Sequence, residues 1–293
     1  MKLLLPDPVN GSYRATRFDW SGIVSSLQYK GHEYFTTWQD STDPLCHEVI
    51  TGPVEAYEKP GLGYTEAASG EGFIRIGVGI LKKEVEAAYQ WNKTYTILDH
   101  GVWAITQGAD WIEFKQTLTS SFGYAYVYTK RIELKKDAPG FKLIHILKNT
   151  GEKLIETDQF NHNFFTLDQQ PTGPDFTVKF PFSFQTTSGI KGLAEIDKNT
   201  LRFLEPFNER SIWMQIEGYG KDASDHQTEV VNKKTGAGVR VVGDQPLHKV
   251  VFWSRESTVC PELYVWISVK PGEEQTWTAD YTLFIESDAP ERR

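Results

Sequence analysis

The region from residue 111 to residue 148 reads as three consecutive strands, and this pattern constrains the fold more than any other feature of the chain. Residues 124–134 alternate apolar and polar side chains through their second half, as a half-buried strand does. The turn signal Asp137-Ala138-Pro139-Gly140 separates them from residues 141–148, which have the same character. Residues 111–118 precede both, so neighbouring antiparallel strands are expected here. Near the C-terminus, residues 263–269 and 276–285 flank Pro271-Gly272-Glu273, which reads as a hairpin turn. Capped amphipathic helices are scarce. The best helical stretch, 82–89, is short and runs into Trp91-Asn92.

There is no low-complexity segment, no linker and no repeat of fixed period. Residues 1–293 are therefore expected to form a single all-β domain, a large antiparallel β-sandwich that buries two apolar sheet faces. The aromatic content of 13%, with 9 Trp and 13 Tyr, suits such sheets and also suits a cleft for sugars. The formal charge of −8 and the scattered Lys and Arg exclude a clustered basic face for nucleic acid. Three leucines at positions 3–5 are too short for a signal-peptide core, and no run approaches a membrane span. The two cysteines, Cys46 and Cys260, have no Cys-x-x-Cys neighbour and read as buried thiols in a reducing, cytoplasmic setting. The expectation is a soluble protein with no nucleic-acid or membrane partner; oligomeric state is left open.

The segment 147–168 carries the chemistry. Asn149-Thr150-Gly151-Glu152 is a turn by composition, and the chain then extends into Phe160-Asn161-His162-Asn163-Phe164-Phe165. A His between two amides and beside aromatic rings can have one ring nitrogen fixed and the other aimed at a ligand. Taken alone, such a His reads first as a core or edge-strand imidazole paired with backbone.

This run resembles the galactose mutarotase, or aldose 1-epimerase, superfamily, in which an Asn-Thr-Gly-type turn leads to Asn-His-x-Tyr-Phe-x-Leu. Asn149-Thr150-Gly151 matches the turn, and Asn161 to Leu167 match the motif with Phe164 in place of Tyr. The resemblance implies the galactose mutarotase-like supersandwich, a sugar or sugar-derivative substrate, and His162 as general acid. Thr258-Val259-Cys260-Pro261-Glu262 followed by Pro271-Gly272-Glu273 is similar to the family's C-terminal region and implies Glu262 as general base, with Glu256 as the other candidate.

Anomer interconversion explains these residue types. A carboxylate removes the C1 hydroxyl proton, a His protonates the ring oxygen, and reclosure reverses both transfers. Each group can contribute about 10²–10⁴-fold. The reaction requires no cofactor and no metal, and neither a phosphate-cradling glycine loop nor a metal-spaced His cluster is found. Family members also carry an active-site His in a His-Gly segment of the first half. The corresponding run, 63–79, contains no His, and His47 and His100 are the residues that could supply one. Arg75 or Glu66 from that run, and Asn163 beside His162, are candidate substrate contacts. Arg17 can reach a substrate hydroxyl, carboxylate or phosphate, or pair with Asp19 or Glu33. Arg131 reads as an exposed strand charge. Two other readings stay open: a carbohydrate-binding protein without the reaction, and a different acid/base reaction such as elimination or epimerisation.

Overall fold

The computed structural model describes residues 1–57, 60–186, 189–190 and 192–286. It is an antiparallel β-structure with short 3-10 segments at Leu167–Gln169 and Ala223–Asp225. Residues 82–89 are not helical. No helix is long and apolar enough to cross a membrane.

Two large sheets organise the chain. The ten-stranded sheet runs from Ala194–Asp197 at one edge to Val102–Gln107 at the other. Approaching that second edge, Glu274–Ile285, Gly140–Asn149, Ala125–Leu134 and Trp111–Thr119 lie side by side. The three strands read from the sequence pair as expected, with Thr129 opposite both Lys115 and Ile146. The five-stranded sheet has the order Ile212–Ile216, Lys249–Arg255, Thr258–Val269, Ile155–His162 and Val54–Tyr57.

Alternation along each strand sends every second side chain to the opposite face. Val250, Phe252, Val259 and Leu263 of the smaller sheet join Phe141, Leu143 and Tyr281 of the larger one in one core. Their alternates Val251, Cys260, Tyr264 and Phe160 meet Tyr13, Phe18, Trp20 and Trp38 of the N-terminal segment in a second core. The five-stranded sheet is thus covered on both faces.

The Pro271-Gly272-Glu273 turn corrects one expectation. It is a turn, with Glu273 N–H donating to the Lys270 carbonyl at 3.0 Å. The strands it joins, however, enter different sheets, so it is a crossover and not a paired hairpin. The Asn149-Thr150-Gly151 turn makes the same crossing between Gly140–Asn149 and Ile155–His162. Asn149 clamps the two crossovers together. Its side-chain amide donates to the carbonyls of Lys153 (2.8 Å) and Val269 (2.7 Å), and its main chain bonds Gly272 and Glu273.

The sheets are also joined by charge. Glu55, Lys130 and His145 have no exposed side-chain area. The Glu55 carboxylate pairs with Lys130 and lies 2.9 Å from His145 Nε2, so a residue of the small sheet bridges two strands of the large one.

Candidate active site

The Ile155–His162 strand pairs antiparallel with Thr258–Val269, and Phe160 is opposite Tyr264. Continuing that register by two residues sets His162 across from Glu262. Both side chains leave the same face, towards the N-terminal segment. His162 Nε2 lies 3.2 Å from Glu262 Oε1, and the two residues are only 3% and 5% exposed. The Tyr264 hydroxyl donates to Glu262 Oε2 at 3.1 Å, so each carboxylate oxygen has a defined neighbour.

The backbone just beyond His162 is unusual. Phe164 has φ of +43°, a left-handed conformation that non-glycine residues rarely take. Its N–H donates to the Cys260 thiol at 3.1 Å, and Phe165 rejoins the sheet opposite Val259. The bend brings the Phe164 ring face to face with the His162 imidazole, with centres 3.8 Å apart and planes 11° apart. Phe18 and Trp253 approach the imidazole edge-on at 5.6 and 5.4 Å. The orientation of the ring is therefore fixed by three aromatic neighbours.

These residues form the floor of a cleft of about 290 Å³. Trp38, Trp91, Trp213 and Trp253 wall it, and Arg17 and Glu48 supply its remaining charges. The Arg17 guanidinium is held between rings, its central carbon 4.5 Å from the centre of Phe18 and 4.3 Å from that of Trp91. Its Nε is buried without a hydrogen-bond partner. Burial pushes its pKa below the usual arginine value, and the negative charge of Glu262 opposes that shift. The main chain at Arg17 is pinned from behind, where Arg75 donates to the Arg17 carbonyl at 2.8 Å.

His162, Glu262 and Arg17 are thus brought together in one cleft. Arg75 is not in its lining: it is 2% exposed and bonds the carbonyls of Tyr57 and Arg17. Asn163 points the other way, donating to the Pro261 carbonyl (2.6 Å) and accepting from the Tyr281 hydroxyl (2.7 Å). His47 stands behind the rim, edge-on to Trp91 at 5.1 Å. Glu66 bonds Lys153 and Tyr124 elsewhere, and His100 caps its own turn through the Gly101 carbonyl. Glu256 is exposed in the turn after Lys249–Arg255 and lines the neighbouring groove, so it does not share the floor with His162. Arg131 lies on the outer face over Trp111 and bonds Glu133.

Sequence reasoning missed Glu48, Tyr264 and the four tryptophans. Tyr264 carried a usable signal, since it lies two residues after Glu262 on one strand face. The tryptophans carried only a compositional signal, because those of the cleft come from four separated segments that only the fold assembles.

No family model matches the sequence, and no curated protein matches it. Solved structures do. A protein of Synechocystis sp. PCC 6803 superposes with a TM-score of 0.59 at 11% identity, covering 97% of this chain and 96% of its own. A galactose mutarotase related enzyme of Lactobacillus acidophilus gives 0.56 at 12% identity, over 99% of this chain and 100% of that one. A galactose mutarotase-like protein of Clostridium acetobutylicum gives 0.55 at 12% identity, over 92% and 94%. At such identities the likeness speaks for architecture alone. The chain described here has the galactose mutarotase-like fold.

Proposed function

We propose that the chain is an aldose 1-epimerase-like enzyme that interconverts sugar anomers, with Glu262 as base and His162 as acid. The observation that carries this reading is the contact of the two side chains on the floor of an aromatic cleft. The C1 hydroxyl oxygen and the ring oxygen of a pyranose are bonded to the same carbon. A base and an acid in contact with each other can therefore address both oxygens from one side, without a ring between them.

In the forward half, Glu262 accepts the C1 hydroxyl proton while His162 delivers a proton to the ring oxygen. The bond from C1 to the ring oxygen breaks, and C1 becomes a carbonyl. Rotation about the bond from C1 to C2 presents the other carbonyl face. The freed C5 hydroxyl then adds to C1, returning its proton to His162, while Glu262 gives its proton back to the carbonyl oxygen. Every proton is returned, and nothing is oxidised or reduced. Tryptophan faces are electron-rich, so they attract the weakly positive C–H bonds of a sugar ring. Arg17 supplies donors towards a sugar hydroxyl. The free thiols of Cys46 and Cys260 support a reducing, cytoplasmic setting for this single-domain chain of 293 residues.

Proton-exchange NMR of α and β anomers across a panel of free, acidic and phosphorylated sugars tests the proposal. Wild-type protein should accelerate exchange of at least one sugar. His162→Ala should lower the acceleration by about 10²–10⁴-fold. A His162→Ala protein as active as wild type refutes the assignment. Tight sugar binding with no acceleration in wild type would instead make the chain a carbohydrate-binding protein.

A further inference from the structure

The aromatic cleft does not end at Trp38. A second hollow of about 680 Å³ lies beside it and shares Trp38 and Glu48 with it. Residues 37–40 form one wall of this groove, and the turn at 255–257 forms the other. Trp38 is a rigid partition. Its indole N–H donates to the Ile50 carbonyl at 2.9 Å, its carbonyl accepts from Ser257 Oγ at 2.6 Å, and its ring stacks on Phe164.

The two compartments differ in chemistry. The first is aromatic, holds the acid/base pair, and at about 290 Å³ sits at the lower limit of ligand pockets. The second is polar. Asp40, Arg255 and Glu256 line it and are exposed, and among the described residues the side chains of Asp40 and Arg255 make no hydrogen bond or ion pair. The groove therefore offers fresh donors from Arg255 and fresh acceptors from Asp40 and Glu256. Sugar hydroxyls, which both donate and accept, match such a mixture. An anionic group does not, because it would meet three carboxylates (Glu48, Asp40 and Glu256) against one guanidinium.

We propose that the groove is a second sugar subsite. The preferred ligand is then a neutral reducing disaccharide or longer glycan, its reducing ring in the aromatic cleft and the next ring beyond Trp38. The inference rests on the sugar-site reading above and extends it by substrate class.

Titration of intrinsic tryptophan fluorescence with glucose, maltose, cellobiose, lactose, galactose and galactobiose tests it. At least one disaccharide should bind about tenfold more tightly than its reducing-end monosaccharide, as one or two net hydrogen bonds allow. The Arg255→Ala/Asp40→Ala double variant, altered only at exposed positions, should lose that preference and keep monosaccharide affinity. Equal affinity for disaccharides and monosaccharides overturns the subsite, as does a preference that survives the double variant. The companion exchange measurement separates the two readings. A disaccharide preference without anomer exchange supports the subsite and sinks the epimerase assignment. Monosaccharide exchange without a disaccharide preference does the reverse, and absence of binding to every sugar overturns both.

Discussion

The Tyr264 hydroxyl donates at 3.1 Å to Glu262 Oε2, the carboxylate oxygen that does not face His162. Tyr264 is itself stacked on Phe160, with ring centres 4.2 Å apart. In the proposed reaction the hydroxyl aims the carboxylate without taking part in proton transfer, which makes Tyr264 a positioning residue. Tyr264→Phe should lower the exchange rate constant by about tenfold, the effect of losing one hydrogen bond to a charged group. Under the proposed mechanism Glu262→Gln removes the base and should cost about 10²–10⁴-fold. Line-shape or saturation-transfer NMR compares the two variants directly. Equal losses, or a Tyr264→Phe rate matching wild type, would remove Tyr264 from this role.

In the proposed site Arg17 serves binding more than bond-making. Its guanidinium lies between Phe18 and Trp91 in the lining of the cleft, with Nε buried and without a hydrogen-bond partner. Arg17→Ala should raise KM by about tenfold with a smaller change in kcat, since hydrogen bonds to a charged group contribute about 1.5–3 kcal/mol. Arg17→Lys keeps the charge but not the planar fork, and should recover only part of the affinity. Steady-state exchange kinetics at several sugar concentrations separate the two constants. A fall in kcat at constant KM would mean that Arg17 acts on the transition state instead.

What the sequence could disclose follows from how local each feature is. The strands Trp111–Thr119, Ala125–Leu134 and Gly140–Asn149 were legible because period-two alternation and a Pro-Gly turn are written within a few residues. The partner sheet of each strand was not, because Pro271-Gly272 marks a reversal without marking a crossover. Lys130 and His145 occupy inward positions where alternation predicts apolar residues. They are tolerated there only because Glu55, 75 residues before Lys130, arrives from the other sheet. His162 and Glu262 were singled out through their motifs, and the strand register supplies the reason that they touch. Arg75 and Asn163 were singled out as residues near a motif. The fold spends them on the carbonyls of Arg17 and Pro261, a choice that depends on three-dimensional neighbours.

The Glu55–Lys130 pair makes a stability prediction. Neither side chain reaches solvent, and Lys130 also donates to the Ser21 carbonyl at 2.7 Å. Removing one member leaves an uncompensated charge in a dry interior. Lys130→Met should therefore destabilise the fold by about 3–5 kcal/mol, whereas Lys130→Met combined with Glu55→Gln should recover much of the loss. Urea denaturation followed by tryptophan fluorescence measures both. A double variant no more stable than Lys130→Met would mean that the pair is not the source of the loss.

Asp19 gives the same region a pH dependence of definite sign. Its carboxylate accepts hydrogen bonds from the Tyr128 hydroxyl (2.8 Å) and from the Ser21 hydroxyl (2.7 Å) and N–H (2.8 Å). Burial raises its pKa from 3.8 to about 7, against the attraction of Lys130 and with the repulsion of Glu55 adding to the rise. The folded protein therefore keeps the Asp19 proton over a range in which the unfolded chain has lost it. With the native state binding more protons, the Asp19 contribution to stability is fully present below about pH 4 and is lost as pH rises to about 7. Glu55 acts oppositely and lower on the scale. Burial alone would raise its pKa, but Lys130 and His145 together hold it below 4.5, so its contribution is lost only as pH falls below that value. Asp19→Asn places a permanently neutral group at the same site. Its stability should decline less than that of wild type between pH 4 and 7, and the two curves should diverge most near pH 7. Urea unfolding midpoints taken at half-unit pH intervals provide the comparison, and parallel curves across that window would rule out Asp19 as the titrating group.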